Sequence, residues 1–443
     1  MEKSFSAPGN GPRRPTASVQ TLGCKVNQFE SAAISRKLEE EGFILVEKGM
    51  SADVVVVNTC TVTHRADFEA RALVRRAFRA NPGVRAVVTG CLAQVKPAEL
   101  AALPGVSLVL GQHFKADIVR LLAEPHPGKI LVSPWSRGQP ILDLGFPSFD
   151  RSRAFFRIQD GCNGGCSYCI VPKSRGPSRS LPPETVFQGL EHYFLEGRAE
   201  VVLTGIHLGS WGLDLDPSRD FFSLLLELEG RPGSRLRLSS IEPNEVTDQI
   251  LQLVKNSARF CPHLHLPLQS GSDLVLAAMH RPYSSDFFRE LVQRAAFGRP
   301  DFCLGVDVLV GFPGETDADF ERTRDLLAEA PISYLHVFPY SRRPGTAAAT
   351  DPNQIPAATA KSRVGILRKL GLMKRQEFNS RCRGQVRPAL VENSRDKASG
   401  LAKGLTDNYI PVLLPDPAPP AGAVIPVEIL GPTKGVLMMG RPA

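Results

Sequence analysis

Apolar residues in this chain fall in short, strand-length runs separated by stretches of helical period. ASVQTLG, DVVVVN and VRAVVTG are strand-length and rich in apolar residues, and each leads into a helix-like stretch, such as FESAAISRKLEEEG or ADFEARALVRRAFRA. Short continuous apolar runs bounded by turns read as strands buried on both faces, and their alternation with helices predicts an open parallel α/β sheet over 17–122. The polar, Pro/Gly-rich stretch 1–16 reads as a disordered tail, and 123–150 as a linker holding one short strand, KILV.

The alternation resumes over 151–375. AFFRIQ, EVVLTG, RLRLSS, HLHLPL, LGVDVLVG and YLHVFPY are six strand candidates, most of them followed by amphipathic helical sequence. A closed barrel takes eight such units, so six predict an open, partial (β/α)6 barrel with its active site at the C-terminal strand ends. A basic helix beginning near 356 ends this core. From 376 to 443, short strands such as VRPALVENS, YIPVLLP and VIPVEIL, broken by Gly, Pro, Asn and Asp, predict a small β-barrel. The fold class is therefore α/β with a β-barrel tail.

Composition narrows the setting. With 443 residues and 42% hydrophobic content, the chain can build ordinary globular cores of about three domains. Runs such as VVVV at 54–57 are too short to cross a bilayer, and no apolar signal segment opens the chain, so no membrane association and a cytoplasmic location are expected. The nine cysteines suit a reducing compartment, where thiolates stay available for metal. A formal net charge of +8 favours a polyanionic partner.

The chemistry concentrates at Cys162, Cys166 and Cys169, spaced CxxxCxxC in GCNGGCSYCIVPKSRG after the first strand of the second segment. Thiolates are the soft ligands of iron-sulfur clusters, and four irons held by three cysteines leave one iron open for a substrate or cofactor. Zinc would want a fourth Cys or His at matching spacing, and an electron carrier would close its cluster with a fourth cysteine. Neither follows nearby. Cys24, Cys60 and Cys91 each stand just past the end of one of the three N-terminal strands, the edge where open α/β sheets place ligands, and so converge on a second site. Cys261 and Cys303 lack such spacing and read as core residues, and Cys382 reads as unrelated to the clusters.

The CxxxCxxC run with Tyr168 and IVPKSRGPSRS resembles the radical S-adenosylmethionine superfamily; Gly165 departs from the apolar or aromatic residue its relatives often carry. The words TLGCKVNQ, NTCTVT and TGCLAQ resemble the N-terminal domain of the methylthiotransferases, and GLTDNYIPV in the tail resembles the RNA-binding TRAM domain. The resemblance implies two 4Fe-4S clusters, one on Cys162, Cys166 and Cys169 and an auxiliary one on Cys24, Cys60 and Cys91. It also implies S-adenosylmethionine contacts at strand ends: Thr204, Gly205 and His207; Ser239 and Glu242; Gln269 and Ser270; and Gly311, Pro313 and Gly314. Arg175 and Arg179 can meet the cofactor carboxylate or a substrate phosphate, or simply pair with acids. Asn27, Asn58 and Thr61 can donate to cluster sulfurs or cap loops.

Such enzymes replace an unreactive C–H hydrogen by a methylthio group. No side-chain base tuned near neutral pH removes so weak an acid, and a radical does. TLGCKVNQ resembles the branch acting on threonylcarbamoyl-adenosine beside the tRNA anticodon; the alternatives are the isopentenyl-adenosine branch and the branch modifying a ribosomal protein aspartate. Lys361, Arg363, Arg368, Lys369, Lys374, Arg375, Arg381, Arg383 and Arg387 predict a positive face for tRNA phosphates. An electron donor and a sulfur source are the other partners implied. From a different class, a non-catalytic iron-sulfur RNA-binding protein would share the clusters without the radical chemistry. A cobalamin-dependent radical enzyme would carry a DxHxxG signature in the first domain, which has none.

Overall fold

The computed structural model describes residues 14–123, 129–136, 138–433 and 435–443. Most of the expected N-terminal tail and part of the expected linker lie outside these residues. Two compact units emerge, one formed by 14–61 with 65–134 and the other by 135–443 with 62–64.

The first unit is an all-parallel sheet of β1 (Thr16–Thr21), β2 (Ile44–Leu45), β3 (Val54–Thr59), β4 (Arg85–Gly90), β5 (Val106–Leu110) and β6 (Lys129–Leu131), in the order β2-β1-β3-β4-β5-β6. Every residue of β3 is buried, which is why its sequence is a continuous apolar run and not an alternating one. Helices Lys25–Glu40 and His64–Ala80 bury Ile34, Leu38, Ala70, Leu73 and Val74 against opposite faces of the sheet. β2 and β5 were not among the strand expectations. β2 has two residues, and VSLVL of β5 is broken by Ser107.

In the second unit, β7 (Arg153–Arg157) is followed by the two-residue strands β8 (Gln159–Asp160) and β9 (Arg179–Ser180). Next come β10 (Glu200–Thr204), β11 (Arg235–Leu238), β12 (His263–Gln269), β13 (Cys303–Val310) and β14 (Tyr334–Pro339). Parallel pairing joins β7, β10 and β11 on one side and β12, β13 and β14 on the other. Isolated bridges Leu236 to Phe260 and Ser240 to His265 connect the halves, completing the six-stranded partial barrel. A closed antiparallel-rich barrel follows, made of β15 (Val386–Arg395), β16 (Ala402–Thr406), β17 (Pro411–Leu414), β18 (Val424–Pro432) and β19 (Met438–Pro442).

This small barrel is packed against the core rather than appended to it. Cys303, Tyr334, Phe378 and Cys382 share one hydrophobic cluster with Val391, Val412, Ile429 and Met438. Cys261, Cys303 and Cys382 are all buried. An ion cluster reinforces the junction: Glu200 Oε1 is 2.9 Å from Arg237 Nε and Glu200 Oε2 is 2.6 Å from Arg235 Nη2. Those arginines in turn donate to the carbonyls of Pro388, Leu405, Thr406 and Asp407. Burial pulls the Glu200 pKa upward, but the guanidiniums of Arg237 and Arg235 outweigh it and hold the carboxyl well below the usual carboxylate range.

A depressed folded pKa gives stability that is present above the ordinary carboxylate value and lost as pH falls through the folded one. Glu200→Gln is therefore expected to cost about 3–5 kcal/mol at neutral pH, because it leaves buried guanidiniums uncompensated. The variant's denaturant midpoint should also depend less on pH below about 4 than that of the parent.

The basic face is smaller than the sequence suggests. Arg363 pairs with Glu315 and Asp317, Arg387 with Asp301 and Asp407, and Arg381 with Glu377. Arg375 is buried on the carbonyl of Tyr409, and Lys374 caps the helix Asp317–Glu329 through the carbonyls of Ala328 and Ala330. Lys361, Arg368, Lys369 and Arg383 remain exposed. No helix among the described residues is long and apolar enough to cross a membrane.

Candidate functional site

The first unit gathers three cysteines at one sheet edge. Its strands β1, β3 and β4 are adjacent and end at Thr21, Thr59 and Gly90. Thr59 pairs with Gly90, so Cys60 and Cys91 are the next residues of two strands in register. Cys24 reaches the same edge through Gly23, whose φ is +96°. A Cβ on Gly23 would lie 2.9 Å from Cys60 Sγ, so only glycine lets the two segments approach this closely.

Neighbouring polar side chains set the frame. Asn27 Nδ2 donates to the carbonyls of Leu22 and Thr59, tying two cysteine-bearing loops together, while its Oδ1 is 3.8 Å from Cys24 Sγ. Asn58 Nδ2 donates to the carbonyl of Asn27 and to Ser31, and Thr61 Oγ1 donates to Asp67. These contacts favour a loop-holding role for Asn27, Asn58 and Thr61 over donation to sulfur. Gln112 Nε2, absent from the sequence reading, lies 3.6 Å from Cys91 Sγ. The turn before Cys91 is equally constrained: Gly90 has φ +94°, and a Cβ there would meet the Thr59 carbonyl at 2.4 Å. Gly90→Ala is expected to displace Cys91 and, if this edge is the auxiliary-cluster site, to lower the iron content per chain to about half that of the parent. Metal analysis per chain checks this.

The second unit carries the CxxxCxxC loop. Cys169 N donates to the Cys166 carbonyl at 3.1 Å, Gly164 N approaches Cys162 Sγ at 3.2 Å, and Cys162 N donates to the Gly176 carbonyl at 3.0 Å. Ser167 Oγ donates to Ala278, His280 Nδ1 meets the Gly165 carbonyl at 3.0 Å, and Tyr168 packs edge-on against Phe312. A Cβ on Gly165 would touch nothing, so the loop needs no larger side chain there. Around the thiols stand His207 and Glu242, both expected at strand ends, together with Arg281 and Glu245, which sequence alone did not single out. Arg281 Nη1 donates to Cys166 Sγ at 3.3 Å while its Nη2 holds Glu242. His207 links Cys162 Sγ, at 3.4 Å from Nδ1, to Glu245, at 2.7 Å from Nε2. Burial lowers the His207 pKa, but the hydrogen bonds to Cys162 and Glu245 carry it up to about 10.

The other strand-end residues divide in two. Gly205 lies over Gln159, whose Oε1 also accepts from His207 N; a Cβ on Gly205 would stand 2.8 Å from that oxygen. Ser239 is buried with its hydroxyl unpartnered, and Gln269 is held at φ +68° at the end of β12. These can face a cofactor. Thr204 Oγ1 instead bonds its own strand at the Val202 carbonyl, and Ser270 Oγ lies against Thr323. Gly311 N donates to Glu315 at the turn before the helix Asp317–Glu329, and Gly314 N to Asn353, so GFPGET builds the turn. Arg175 takes the acid-paired alternative among the described contacts. It is buried, with Nη1 2.8 Å from Asp160 Oδ1, and Arg179 reaches the same carboxylate while stacking on Trp135. Both guanidiniums pair with Asp160 at the base of the cysteine loop.

The donor set fits an iron-sulfur cluster. Burial pushes the Cys169 thiol up to about 12, so a free thiolate is disfavoured there and cationic iron would stabilise it. Three thiols on a tight loop at the C-terminal mouth of a six-stranded partial barrel define a radical S-adenosylmethionine enzyme. The radical SAM superfamily matches residues 156–327, and the Uncharacterized protein family UPF0004 matches 16–111. The threonylcarbamoyladenosine tRNA methylthiotransferase MtaB of Bacillus subtilis is 38% identical over 94% of this chain and 94% of its own length. That of Aquifex aeolicus is 37% identical over 89% and 95%. The tRNA-2-methylthio-N(6)-dimethylallyladenosine synthase of Pelotomaculum thermopropionicum is 32% identical over 93% and 94%. The chain belongs to the methylthiotransferase family of radical SAM enzymes, which transfer sulfur-containing groups and use S-adenosylmethionine with two 4Fe-4S clusters. Among solved structures, the radical S-adenosylmethionine methyltransferase TsrM of Kitasatospora setae matches with a TM-score of 0.55 at 16% identity, covering 76% of this chain and 77% of that one. That likeness is one of fold.

Proposed function

We propose that this enzyme adds a methylthio group to C2 of threonylcarbamoyl-adenosine next to the anticodon of tRNA, in the cytoplasm. The observation that carries the substrate is the ranking of relatives. Five enzymes named for threonylcarbamoyladenosine are 34–38% identical over 85–95% of the chain, against 32–33% for those named for dimethylallyladenosine.

In this reading Cys162, Cys166 and Cys169 hold the cluster that binds S-adenosylmethionine, and Cys24, Cys60 and Cys91 hold the auxiliary one. Together these groups supply the radical and sulfur chemistry that an unreactive C–H bond requires. The chain's own residues orient and insulate. Arg281 and His207 hydrogen-bond the loop thiols, Glu242 and Glu245 fix those two side chains, and Gln159 aligns the His207 backbone. Gly205, Ser239 and Gln269 line the cofactor position. Lys361, Arg368, Lys369 and Arg383 are the cations left to meet tRNA phosphates. A reducing electron donor and a sulfur source complete the set of partners.

Mass spectrometry of tRNA nucleosides from a deletion strain tests the assignment. The methylthio form of threonylcarbamoyl-adenosine should disappear while its parent nucleoside remains. An unchanged profile, or loss of the isopentenyl counterpart instead, contradicts it.

A further inference from the structure

The barrel core holds a second cluster of ligating side chains that neither cysteine site uses. His265, Asp307 and His336 lie on three adjacent parallel strands, β12, β13 and β14, where Asp307 pairs with His336 and His265 with Gly305. Successive side chains alternate between the faces of a strand, so His263, His265, Gly305, Asp307, Tyr334 and His336 share one face while Leu264, Leu266, Leu304, Val306 and Val308 fill the other. The second set is completely buried. The first is polar and partly open: the His336 side chain is 51% exposed and that of Asp307 23%.

The ligating atoms already converge. One ligand atom from each of the three residues lies within 4.8 Å of the others. His265 Nε2 is 2.8 Å and His336 Nδ1 3.3 Å from the same carboxylate oxygen, Asp307 Oδ1. A divalent transition ion bound at about 2.0–2.2 Å to two imidazole nitrogens and one carboxylate oxygen needs only small adjustments from this arrangement. The support behind the ligands is also built. His265 Nδ1 is 3.0 Å from the Tyr334 hydroxyl, which is 2.8 Å from His263 Nε2. An imidazole that ligates through Nε2 must carry its proton on Nδ1. Here that proton has an acceptor in Tyr334, whose own O–H can point on to His263. Gly305 makes room for this contact, since a Cβ there would stand 2.2 Å from the Tyr334 oxygen and 2.6 Å from His265 Nδ1.

We propose that His265, Asp307 and His336 form a mononuclear site for a divalent transition-metal ion on the inner face of the barrel, separate from both three-cysteine sites. Two nitrogens and one oxygen suit zinc, ferrous or manganous ions better than the thiolate-seeking soft metals. Three protein ligands leave coordination positions open, and the exposed edge at His336 gives an entry path.

The test uses the holoenzyme, with both clusters reconstituted anaerobically and loosely bound metal removed by chelator. Equilibrium dialysis against zinc chloride, with zinc, iron and sulfide measured per chain, should show about one zinc beyond the cluster iron. Asp307→Asn, which keeps the side-chain shape, and His336→Ala, on the exposed edge, should each lose that zinc while iron and sulfide stay at the parent value, which shows that the fold and clusters survive. Ferrous iron in excess of sulfide in the parent, lost in the same two variants, supports the site equally. No bound zinc and no excess iron in the parent overturns the proposal, as does the same zinc content in the parent and both variants.

Discussion

Cys166→Ala is expected to abolish formation of 5′-deoxyadenosine and to halve the iron of the reconstituted enzyme. The loop offers three thiols, and the other cysteines of its unit, Cys261, Cys303 and Cys382, are buried elsewhere. Altering a group that merely orients a metal ligand costs about 10–100-fold in affinity or activity, so removing a ligand should exceed that range. The protein should stay folded. Arg281, which donates to Cys166 Sγ, keeps Glu242, the Tyr283 hydroxyl and the Pro267 carbonyl as partners. Anaerobic incubation with S-adenosylmethionine and a strong reductant, followed by chromatography for 5′-deoxyadenosine, reads the effect directly. Cys261→Ser serves as the control that keeps full iron.

The triple variant Cys24→Ala, Cys60→Ala, Cys91→Ala should separate the two activities. Its cysteine loop belongs to the second compact unit and keeps its own three thiols with their Arg281 and His207 partners. Cleavage of S-adenosylmethionine should therefore persist, while the methylthio nucleoside falls below detection and iron falls by half. If both activities vanish together with iron at the parent value, the division of labour between the sites is wrong.

Much of this organisation is legible in the chain because it depends on local pattern. Continuous apolar runs such as DVVVVN announce buried parallel strands, and a cysteine within three residues of the end of each of three strands marks a sheet edge before any coordinates are seen. The six strands of the barrel follow from the same reading. What the pattern hides is pairing at long range. Arg175 looks like an anion ligand because it follows a cluster motif, yet Asp160, fifteen residues earlier, claims it. Arg363, Arg375 and Arg387 look like an RNA-facing stripe, and each is spent on acids or carbonyls brought in by distant segments. Arg281 and Gln159 escaped notice for the converse reason: nothing in HRPYSS or FRIQDG signals chemistry until the strands bring those side chains to Cys166 and His207. The His265, Asp307 and His336 grouping is likewise invisible along the chain, since its members come from three strands and meet only in register.

One measurement bears most directly on the account of two cooperating three-cysteine sites. Reconstituted enzyme, S-adenosylmethionine, reductant and tRNA isolated from a deletion strain are incubated anaerobically, and 5′-deoxyadenosine and the modified nucleoside are quantified in the same sample. The expected result is the appearance of both products, with methylthio-threonylcarbamoyl-adenosine formed at the expense of its parent. Absence of 5′-deoxyadenosine, or its formation with the tRNA left unchanged by an enzyme carrying both clusters, would contradict the account.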